Sequence, residues 1–243
     1  MFGNLFKKGS SQTPSFYTTD LHSHLIPSID DGSESMEQSL SMIKELSKLG
    51  FAKLITTPHT MSHRFPNTKE DILNGFENLK AEVEAAGINI KLEVASEYYF
   101  DEHFLELIEN DDLLTFGDKH ILFELSYTAP TFGIENAVFQ MLSKQYKPIL
   151  AHPERYVTFQ QDNSKYHQLK DTGLLFQLNV NSLDGFYGKA AKRAAEYLVD
   201  NGLVDFVGSD THRPKYVETF KKTMNNKKLL KITENNYIKN YQL

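Results

Sequence analysis

The feature that most constrains this chain is the recurrence of ligand-type side chains directly after β-rich runs. Five such runs end in this way, and a sixth, late run delivers two more ligand-type residues. In chain order these residues are His22, His24, His59, Glu97, Glu124, His152, Asp210 and His212. A ring of parallel strands presents all its carboxyl ends on one face. The pattern therefore predicts one polynuclear metal site on a rigid parallel frame.

Predicted strands and helices alternate along most of the chain. We expect seven strands, at residues 17–22, 52–57, 88–95, 120–125, 148–151, 174–180 and 203–208. We expect helices at residues 33–49, 68–87, 101–110, 135–146, 164–172 and 190–200, and helix with irregular coil at 214–243. Strict alternation favours parallel strand pairing. We therefore expect an α/β fold, a distorted seven-stranded (β/α)7 TIM-like barrel. An open doubly wound sheet is the alternative, but the sequence has no Gly-rich phosphate loop.

Composition limits both the class of protein and the chemistry of the site. The net charge of −6 argues against a general nucleic-acid binder, which normally carries a basic excess. The absence of cysteine excludes disulfides, thiolate ligands and a cysteine nucleophile, so any metal must be bound by His, Asp, Glu or water. This composition is compatible with a cytoplasmic location. The sequence also lacks an apolar run long enough to predict a transmembrane helix.

The sequence divides into a flexible N-terminal tail over residues 1–16 and a single domain over residues 17–243. The tail lacks the long apolar core of a signal peptide. Its apolar residues Phe2, Leu5 and Phe6 accompany two lysines, so a weak peripheral contact with a membrane is the alternative to a frayed tail. No low-complexity linker or internal repeat divides the rest of the chain.

Each ligand-type residue taken alone also has an ordinary structural explanation. His22 and His24 are two apart in a strand, so both imidazoles can face one ion, but two surface histidines in a turn fit as well. Asp31 lies within Asp-Asp-Gly, which by itself is more often a turn, although a turn and a ligand can coincide. Glu124 is harder to explain, because an unpaired carboxylate inside an apolar strand is costly without a metal or arginine partner. Jointly, the residues suit two or three ions with a bridging carboxylate.

The remaining histidines and the sixth strand provide a contrast. Three histidines do not follow strand ends and have an ordinary structural interpretation: His103, His120 and His167. His63 could face a substrate, although an exposed loop histidine is the simpler interpretation.

The sixth strand ends in Asn179-Val180-Asn181 and offers no strong ligand. We expect this strand end to shape the pocket, leaving the ring of ligands open on that side.

The ordered set of motifs resembles the polymerase and histidinol phosphatase (PHP) superfamily. Within it, the set is most similar to the bacterial capsule and exopolysaccharide protein-tyrosine phosphatases (CpsB/CapC-like). The motifs that carry the resemblance are Asp-Leu-His-Ser-His from Asp20, Asp-Asp-Gly-Ser from Asp30, Thr-Pro-His59, Glu97, Glu124, His-Pro-Glu-Arg-Tyr from His152 and Ser-Asp-Thr-His ending at His212. The match covers nearly the whole domain. It implies the distorted seven-stranded barrel of a PHP phosphatase domain.

The resemblance also implies three divalent metal ions, most often manganese, and the ligand types are compatible with iron or zinc as well. The first ion would be held by His22, His24, Glu97 and Asp210. The second would be held by Glu97, Glu124 and His152, with Glu97 as a bridge, and the third by Asp31, His59 and His212. Arg155 would bind phosphate. Some members have a more basic stretch after the third-site histidine, so Arg64, which follows His59 here, is a second candidate phosphate-binding residue.

The activity implied by the resemblance is hydrolysis of protein phosphotyrosine through in-line attack of metal-activated hydroxide. A phenolate leaving group, whose conjugate acid has a pKa of about 10, needs a strong general acid less than an alkoxide does. The implied partner is the phosphorylated tail of a bacterial tyrosine kinase that controls capsule or exopolysaccharide synthesis. Two alternatives remain open. One is a small-molecule phosphoesterase such as a histidinol-phosphate phosphatase, and the other is a non-catalytic metal-binding scaffold.

Overall fold

This computed structural model describes residues 18–234 and 238–243, so the tail predicted over residues 1–16 lies outside the described residues. Parallel strands flanked by helices confirm the predicted α/β class. The strands in the described residues are β1 Thr19–Asp20, β2 Lys53–Thr56, β3 His59–Thr60, β4 Lys91–Val94, β5 Glu97–Tyr99, β6 His120–Glu124, β7 Lys147–Ala151, β8 Leu175–Asn179 and β9 Phe206–Gly208.

Helices alternate with these strands much as the apolar periodicity predicts. They are α1 Met36–Lys48, α2 Lys69–Ala85, α3 Glu102–Asn110, α4 Ile134–Ser143, α5 Val157–Gln161, α6 Ser164–Asp171, α7 Lys189–Asp200, α8 Pro214–Thr223 and α9 Lys227–Glu234. Short 3-10 turns lie at Pro153–Arg155, Val180–Asp184 and Asn240–Gln242. Ser35 caps α1 by accepting a hydrogen bond from the Gln38 amide, and Thr68 begins α2 with a reciprocal capping box. Helix α5 is not predicted by the sequence pattern.

The strands form two parallel sheets, which differs from the predicted seven-stranded barrel. One sheet has the order β1-β2-β4, and the other has the order β3-β5-β6-β7-β8-β9. The strand count differs because two short strands that were not predicted, β3 and β5, follow shortly after the strands expected at residues 52–57 and 88–95. Pro58, which has no backbone N–H, lies between β2 and β3, and Ala95 and Ser96 lie between β4 and β5. Among the described residues these sheets do not close into a barrel.

Backbone hydrogen bonds nevertheless continue beside the gap between β2 and β3. They also link the residues after the first strand to those after the last. The amide of Glu97 donates to the carbonyl of Pro58 at 3.0 Å, beside the break between β2 and β3. The amide of Asp210, which follows β9, donates to the carbonyl of His22, which follows β1, at 2.8 Å. These contacts bring the carboxyl ends of the first and last strands together.

A small apolar cluster lies inside the strand frame and supports the polar residues at the strand ends. Its buried members are Leu21, Ile55, Ala95, Phe116, Leu122, Ile149, Ala151 and Phe206. On β6, Glu124 comes two residues after Leu122, so both side chains lie on the same face of the strand. On β8 the same spacing places Gln177 and Asn179 on the face of Leu175, which packs partly buried against the cluster. The frame therefore carries an apolar layer with polar side chains at the carboxyl ends.

A larger apolar core fills the space between strands and helices, with fully buried aromatic residues such as Phe104, Phe123 and Phe176. It fixes the helices against the sheet, so the strand ends are held rigidly. Among the helices of residues 18–234 and 238–243, we find none with the length and apolar character needed to cross a membrane.

Candidate metal centre

Glu97, the first residue of β5, lies at the centre of the ligand-type side chains. Its carboxylate is fully buried, and Oε2 lies 3.2 Å from His22 Nε2, 3.3 Å from His24 Nε2 and 3.2 Å from His59 Nδ1. The other oxygen, Oε1, lies 3.0 Å from His152 Nε2. Four imidazoles from three strand regions therefore converge on one carboxylate, as the strand-end pattern predicts.

The ligand-type atoms of the first predicted group lie close together. Asp210 Oδ1 lies 3.3 Å from His22 Nε2 and 3.6 Å from His24 Nε2, and the two imidazole nitrogens are 3.3 Å apart. Glu97 Oε2 lies 3.2 Å and 3.3 Å from the same two nitrogens. Histidine nitrogens and carboxylate oxygens bind a zinc ion at about 2.0–2.2 Å, so ligand atoms that share one ion lie about 3–4 Å apart. His22 and His24 are thus close enough to Glu97 and to Asp210 to share one divalent ion with each of them.

In the structure, His59 lies beside the three residues of the second predicted group. Glu124 Oε2 lies 3.8 Å from His152 Nε2, so Glu97, Glu124 and His152 are close together as expected. Glu124 Oε1, however, lies only 3.3 Å from His59 Nδ1. The family resemblance placed His59 with the third group alone, whereas its Nδ1 faces Glu97 and Glu124.

The third predicted group lies nearest to solvent. Asp31 Oδ1 lies 3.4 Å from His59 Nε2 and 3.5 Å from His212 Nε2. The ring of His24 stacks on that of His212 with 3.8 Å between centroids, so His24 also lies beside this group. Asp31 is 36% exposed, while the members of the first group are buried. The third group therefore forms the opening of the centre.

Several buried side-chain atoms of this cluster lack a hydrogen-bond partner among the described residues. Asp31 Oδ1, His59 Nδ1 and Glu97 Oε2 are buried and have no hydrogen-bond partner within residues 18–234 and 238–243. A buried carboxylate oxygen without a partner is costly. A cation at each cluster would satisfy these atoms, so the residues present fit divalent metal ions.

Hydrogen bonds from neighbouring side chains fix the orientation of the central residues. Gln177 Oε1 lies 2.7 Å from His22 Nδ1, and Asp30 Oδ2 lies 2.7 Å from His24 Nδ1. Such contacts on the second ring nitrogen are typical of metal-binding histidines. Asn179 Nδ2 donates to Asp210 Oδ2 at 2.6 Å.

The sequence interpretation missed Asp30, Gln177 and Asn179. The signal for the last two was present, because both are polar residues spaced by two within an otherwise apolar run. The sixth strand, expected only to shape the pocket, thus contributes two of the supporting contacts.

The buried charges set distinct protonation states. Burial opposes the charged form of His22, but the carboxylates of Glu97 and Asp210 outweigh it and raise its pKa to about 9. Burial lowers the pKa of His152 to about 4, so this imidazole is neutral at pH 7. Burial and the neighbouring Glu97 carboxylate raise the pKa of Glu124 to about 7. Without an ion, the cluster therefore retains protons on some of its ligand-type atoms.

Two of the predicted metal-binding residues, His152 and Asp210, have an unusual backbone conformation. His152 has φ of 35° and Asp210 has φ of 50°, both in the left-handed region that non-glycine residues rarely adopt. Such backbone conformations cluster at functional sites, where surrounding contacts enforce them. Here they turn the chain immediately after β7 and β9.

Basic and aromatic side chains border a cavity of about 210 Å³ beside the third group. Arg155 and Arg213 line it, and Arg155 Nη1 donates to Asp210 Oδ2 at 3.1 Å. Arg64 does not line this cavity. Its side chain is 60% exposed and lies 3.4 Å from Asp31 Oδ2. Arg155 is therefore placed beside the cluster as predicted, Arg64 lies further out, and Arg213 is an addition that the sequence did not indicate.

The other histidines lie apart from these groups. His120 begins β6, at the end of the strand opposite Glu124, and burial lowers its pKa to about 4. His63 packs edge-on against the ring of Tyr99 at 5.4 Å and does not line the cavity. A substrate contact for His63 remains a prediction.

Comparison with known proteins supports the resemblance seen in the motifs. The profile of the family described as capsular polysaccharide synthesis, CpsB/CapC, matches residues 18–240. Tyrosine-protein phosphatase CpsB of Streptococcus agalactiae is 28% identical over 199 residues, which cover 79% of this chain and 82% of that protein. Tyrosine-protein phosphatase YwqE of Bacillus subtilis is 27% identical over 197 residues, covering 81% and 78%.

The fold has a close counterpart among solved structures. A chain from crystal structures of YwqE from B. subtilis and CpsB from Streptococcus pneumoniae, described as unique metal-dependent tyrosine phosphatases, matches with a TM-score of 0.78. It is 24% identical and covers 90% of this chain and 92% of the other. Because the family profile spans nearly all of the described residues, the chain belongs to the CpsB/CapC family of capsular polysaccharide synthesis proteins.

Proposed function

We propose that this chain is a metal-dependent protein-tyrosine phosphatase. The observation that carries the proposal is the convergence of four imidazoles on Glu97, with Arg155 donating to Asp210 at the edge of the same cluster. Polynuclear centres of this kind are typical of phosphatases, and arginine is suited to a phosphoryl group because its forked donors match the oxygens. The curated names of the relatives support the choice of phosphotyrosine.

We propose three ion positions, each tied to one set of residues. His22, His24, Glu97 and Asp210 would hold one ion, and Glu97, Glu124 and His152 a second, with His59 Nδ1 also directed at this group. Asp31, His59 and His212 would hold the third. We favour manganese because all ligands are nitrogen or oxygen, a set that iron and zinc also accept. When bound, such ions supply Lewis-acid polarisation of the phosphoryl group and a nucleophile from water at neutral pH.

The residues of the chain itself contribute binding, orientation and proton control. Arg155 is proposed to bind the non-bridging phosphoryl oxygens, since its guanidinium lies beside the cavity and has one hydrogen bond, to Asp210, among the described residues. His152 is neutral at pH 7 because burial lowers its pKa to about 4, so this imidazole can bind an ion without a net loss of a proton. Gln177 and Asp30 hold His22 and His24 in the orientation that directs Nε2 at the cluster.

The substrate is proposed to be the phosphorylated tail of a bacterial tyrosine kinase in capsule or exopolysaccharide synthesis. The description of the matching family supports this assignment. The opening of the centre also supports it, because Asp31 and Arg64 lie partly exposed there, so an extended peptide can reach the third group. A phenolate leaving group would depart without a strong general acid.

We further propose that the two sheets form one interrupted ring of seven strands, within a single domain over residues 17–243. The parallel bridge between Ser23 and Thr211 supports this closure. The inner apolar cluster supports it too, because members such as Leu21, Leu122 and Phe206 come from strand regions far apart in the sequence.

The proposal is tested by assaying a phosphotyrosine peptide and histidinol phosphate in parallel with manganese present. We expect hydrolysis of the peptide and little of histidinol phosphate. His22→Ala should abolish turnover, while His103→Ala, an exposed histidine outside the cluster, should leave it unchanged. Preference for histidinol phosphate would favour the small-molecule phosphoesterase, and failure to hydrolyse any aryl phosphate would favour a non-catalytic scaffold. Normal turnover by metal-loaded His22→Ala would refute the assignment of the centre.

A further inference from the structure

Arg155 lies over the faces of two tyrosine rings. Its Cζ is 4.4 Å from the ring centroid of Tyr127 and 4.3 Å from that of Tyr187. Both distances fall within the range of a cation–π contact. Tyr127 comes from the loop after β6 and Tyr187 from the turn before α7, so two distant segments of the chain converge on one guanidinium.

The hydroxyl groups of these tyrosines anchor the rings to the cluster. Tyr127 Oη donates to Glu124 Oε2 at 3.0 Å, and Tyr187 Oη donates to Asp210 Oδ2 at 3.0 Å. Each tyrosine therefore makes two polar contacts: its hydroxyl hydrogen-bonds to a carboxylate, and the face of its ring contacts the guanidinium. A tyrosine that only fills space in a loop needs neither of these two contacts.

The need for such support follows from the charges around Arg155. A flexible arginine beside the carboxylates of Glu97, Glu124 and Asp210 would be drawn into a forked ion pair with one of them. Its donors would then be unavailable to a substrate. In the structure, Nη1 donates to Asp210 Oδ2, and within the described residues the guanidinium makes no other hydrogen bond. The remaining N–H groups are left for a ligand.

We propose that Tyr127 and Tyr187 are positioning residues that clamp the Arg155 guanidinium between their ring faces and keep its free N–H groups directed at a bound phosphate. The inference rests on the proposed function insofar as the phosphate is the phosphoryl group of the substrate. It assigns the effect to the ring faces and not to the hydroxyl groups. The two tyrosines then act on substrate affinity through Arg155, without touching the reacting atoms themselves.

Binding of inorganic phosphate, measured by calorimetry with manganese in excess, tests the clamp without requiring turnover. We expect Tyr127→Leu and Tyr187→Leu each to weaken phosphate binding by about tenfold, the size of a partly desolvated cation–π contact. The matched variants Tyr127→Phe and Tyr187→Phe keep the ring and lose the hydroxyl, and they should bind within about twofold of the wild type. At the saturating manganese concentration used for these titrations, bound manganese measured by elemental analysis should be the same in all four.

A double-mutant cycle separates the clamp from a merely structural role. In an Arg155→Gln background, whose neutral amide makes no cation–π contact, Tyr187→Leu should produce no further loss of phosphate affinity. This comparison remains informative if Tyr127→Leu does not fold, because Tyr187 is tested alone.

Three outcomes would overturn the inference. The first is wild-type affinity in the leucine variants, and the second is an equal loss in the phenylalanine variants. The third is loss of manganese together with phosphate, which would mean that the tyrosines act on the metal ligands. If the wild type binds phosphate with the expected pattern but does not hydrolyse phosphotyrosine, the proposed function fails and the clamp stands.

Discussion

His22 gives the metal-free protein a stability that should fall as the pH rises above 7. Burial opposes protonation of this imidazole, but the carboxylates of Glu97 and Asp210 outweigh it and raise the pKa from an ordinary value of 6.5 to about 9. A group whose pKa is raised on folding stabilises the folded state fully below the unfolded pKa. It loses that contribution as the pH rises through the folded pKa. The relevant window is therefore pH 7 to 9.

The size of the effect follows from this difference in pKa. Between pH 7 and pH 9, linkage for a group that titrates at 6.5 unfolded and at about 9 folded removes about 2 kcal/mol of unfolding free energy. For a chain of 243 residues this corresponds to a fall in Tm of about 4–8 °C. His24 acts in the same direction, because Asp30 outweighs the effect of burial and raises its pKa well above the ordinary value.

The assay is thermal unfolding of chelator-treated protein at pH 7, 8 and 9. His22→Gln removes the titrating group and should flatten the pH dependence, whereas His103→Gln, an exposed histidine on α3, should retain it. With a saturating divalent ion the sign reverses, because the ion needs the neutral imidazole and the extra stability it gives should grow with pH. A Tm of the chelated wild type that is constant or rises from pH 7 to 9 would refute this account of the His22 pKa.

Three further predictions concern the residues that support the cluster. Asp30→Asn weakens the contact on His24 Nδ1 and should lower metal affinity about 10–100-fold, measured by competition with a chelating dye. Gln177→Leu, which leaves His22 Nδ1 without its partner, should produce a loss of similar size in the same titration. Gly32→Ala places a Cβ 2.4 Å from that of His24 and 2.5 Å from its carbonyl oxygen. It should therefore lower the unfolding free energy by about 1–3 kcal/mol in denaturant titrations.

The strand-end residues could be predicted because their positions depend on local pattern alone. A β-rich run followed by His, Asp or Glu defines a side chain at a carboxyl end, and parallel strands bring such ends to one edge. The structure accordingly brings Glu97 within 3.3 Å of the nearest ring nitrogen of His22, His24 and His152. The alternation of strands and helices was equally readable, since it depends on apolar spacing and caps such as Thr68.

The supporting contacts of Gln177 and Asn179 could not be predicted because they join residues that are distant in sequence and ordinary in type. His22 and Gln177 are 155 positions apart, and nothing local marks a buried glutamine as the partner of a particular imidazole. The two additional short strands, β3 and β5, also escaped the pattern, because a run of apolar residues does not show where strand pairing resumes after a break. The double role of His59 depends on ring orientation, which only the packed structure defines.

Asp210 contacts both the proposed first ion position and the Arg155 side chain. This double contact determines how variants of Asp210 should be interpreted. Oδ1 faces the ring nitrogens of His22 and His24, while Oδ2 accepts hydrogen bonds from Asn179, Tyr187 and Arg155. One carboxylate therefore serves the proposed first ion with one oxygen and the proposed phosphate anchor with the other. Replacement of Asp210 should impair metal binding and phosphate binding together. Replacement of Arg155 should weaken phosphate binding while the bound metal is retained. Among the described residues, its guanidinium hydrogen-bonds to Asp210 through Oδ2, whereas Oδ1 is the oxygen that faces His22 and His24.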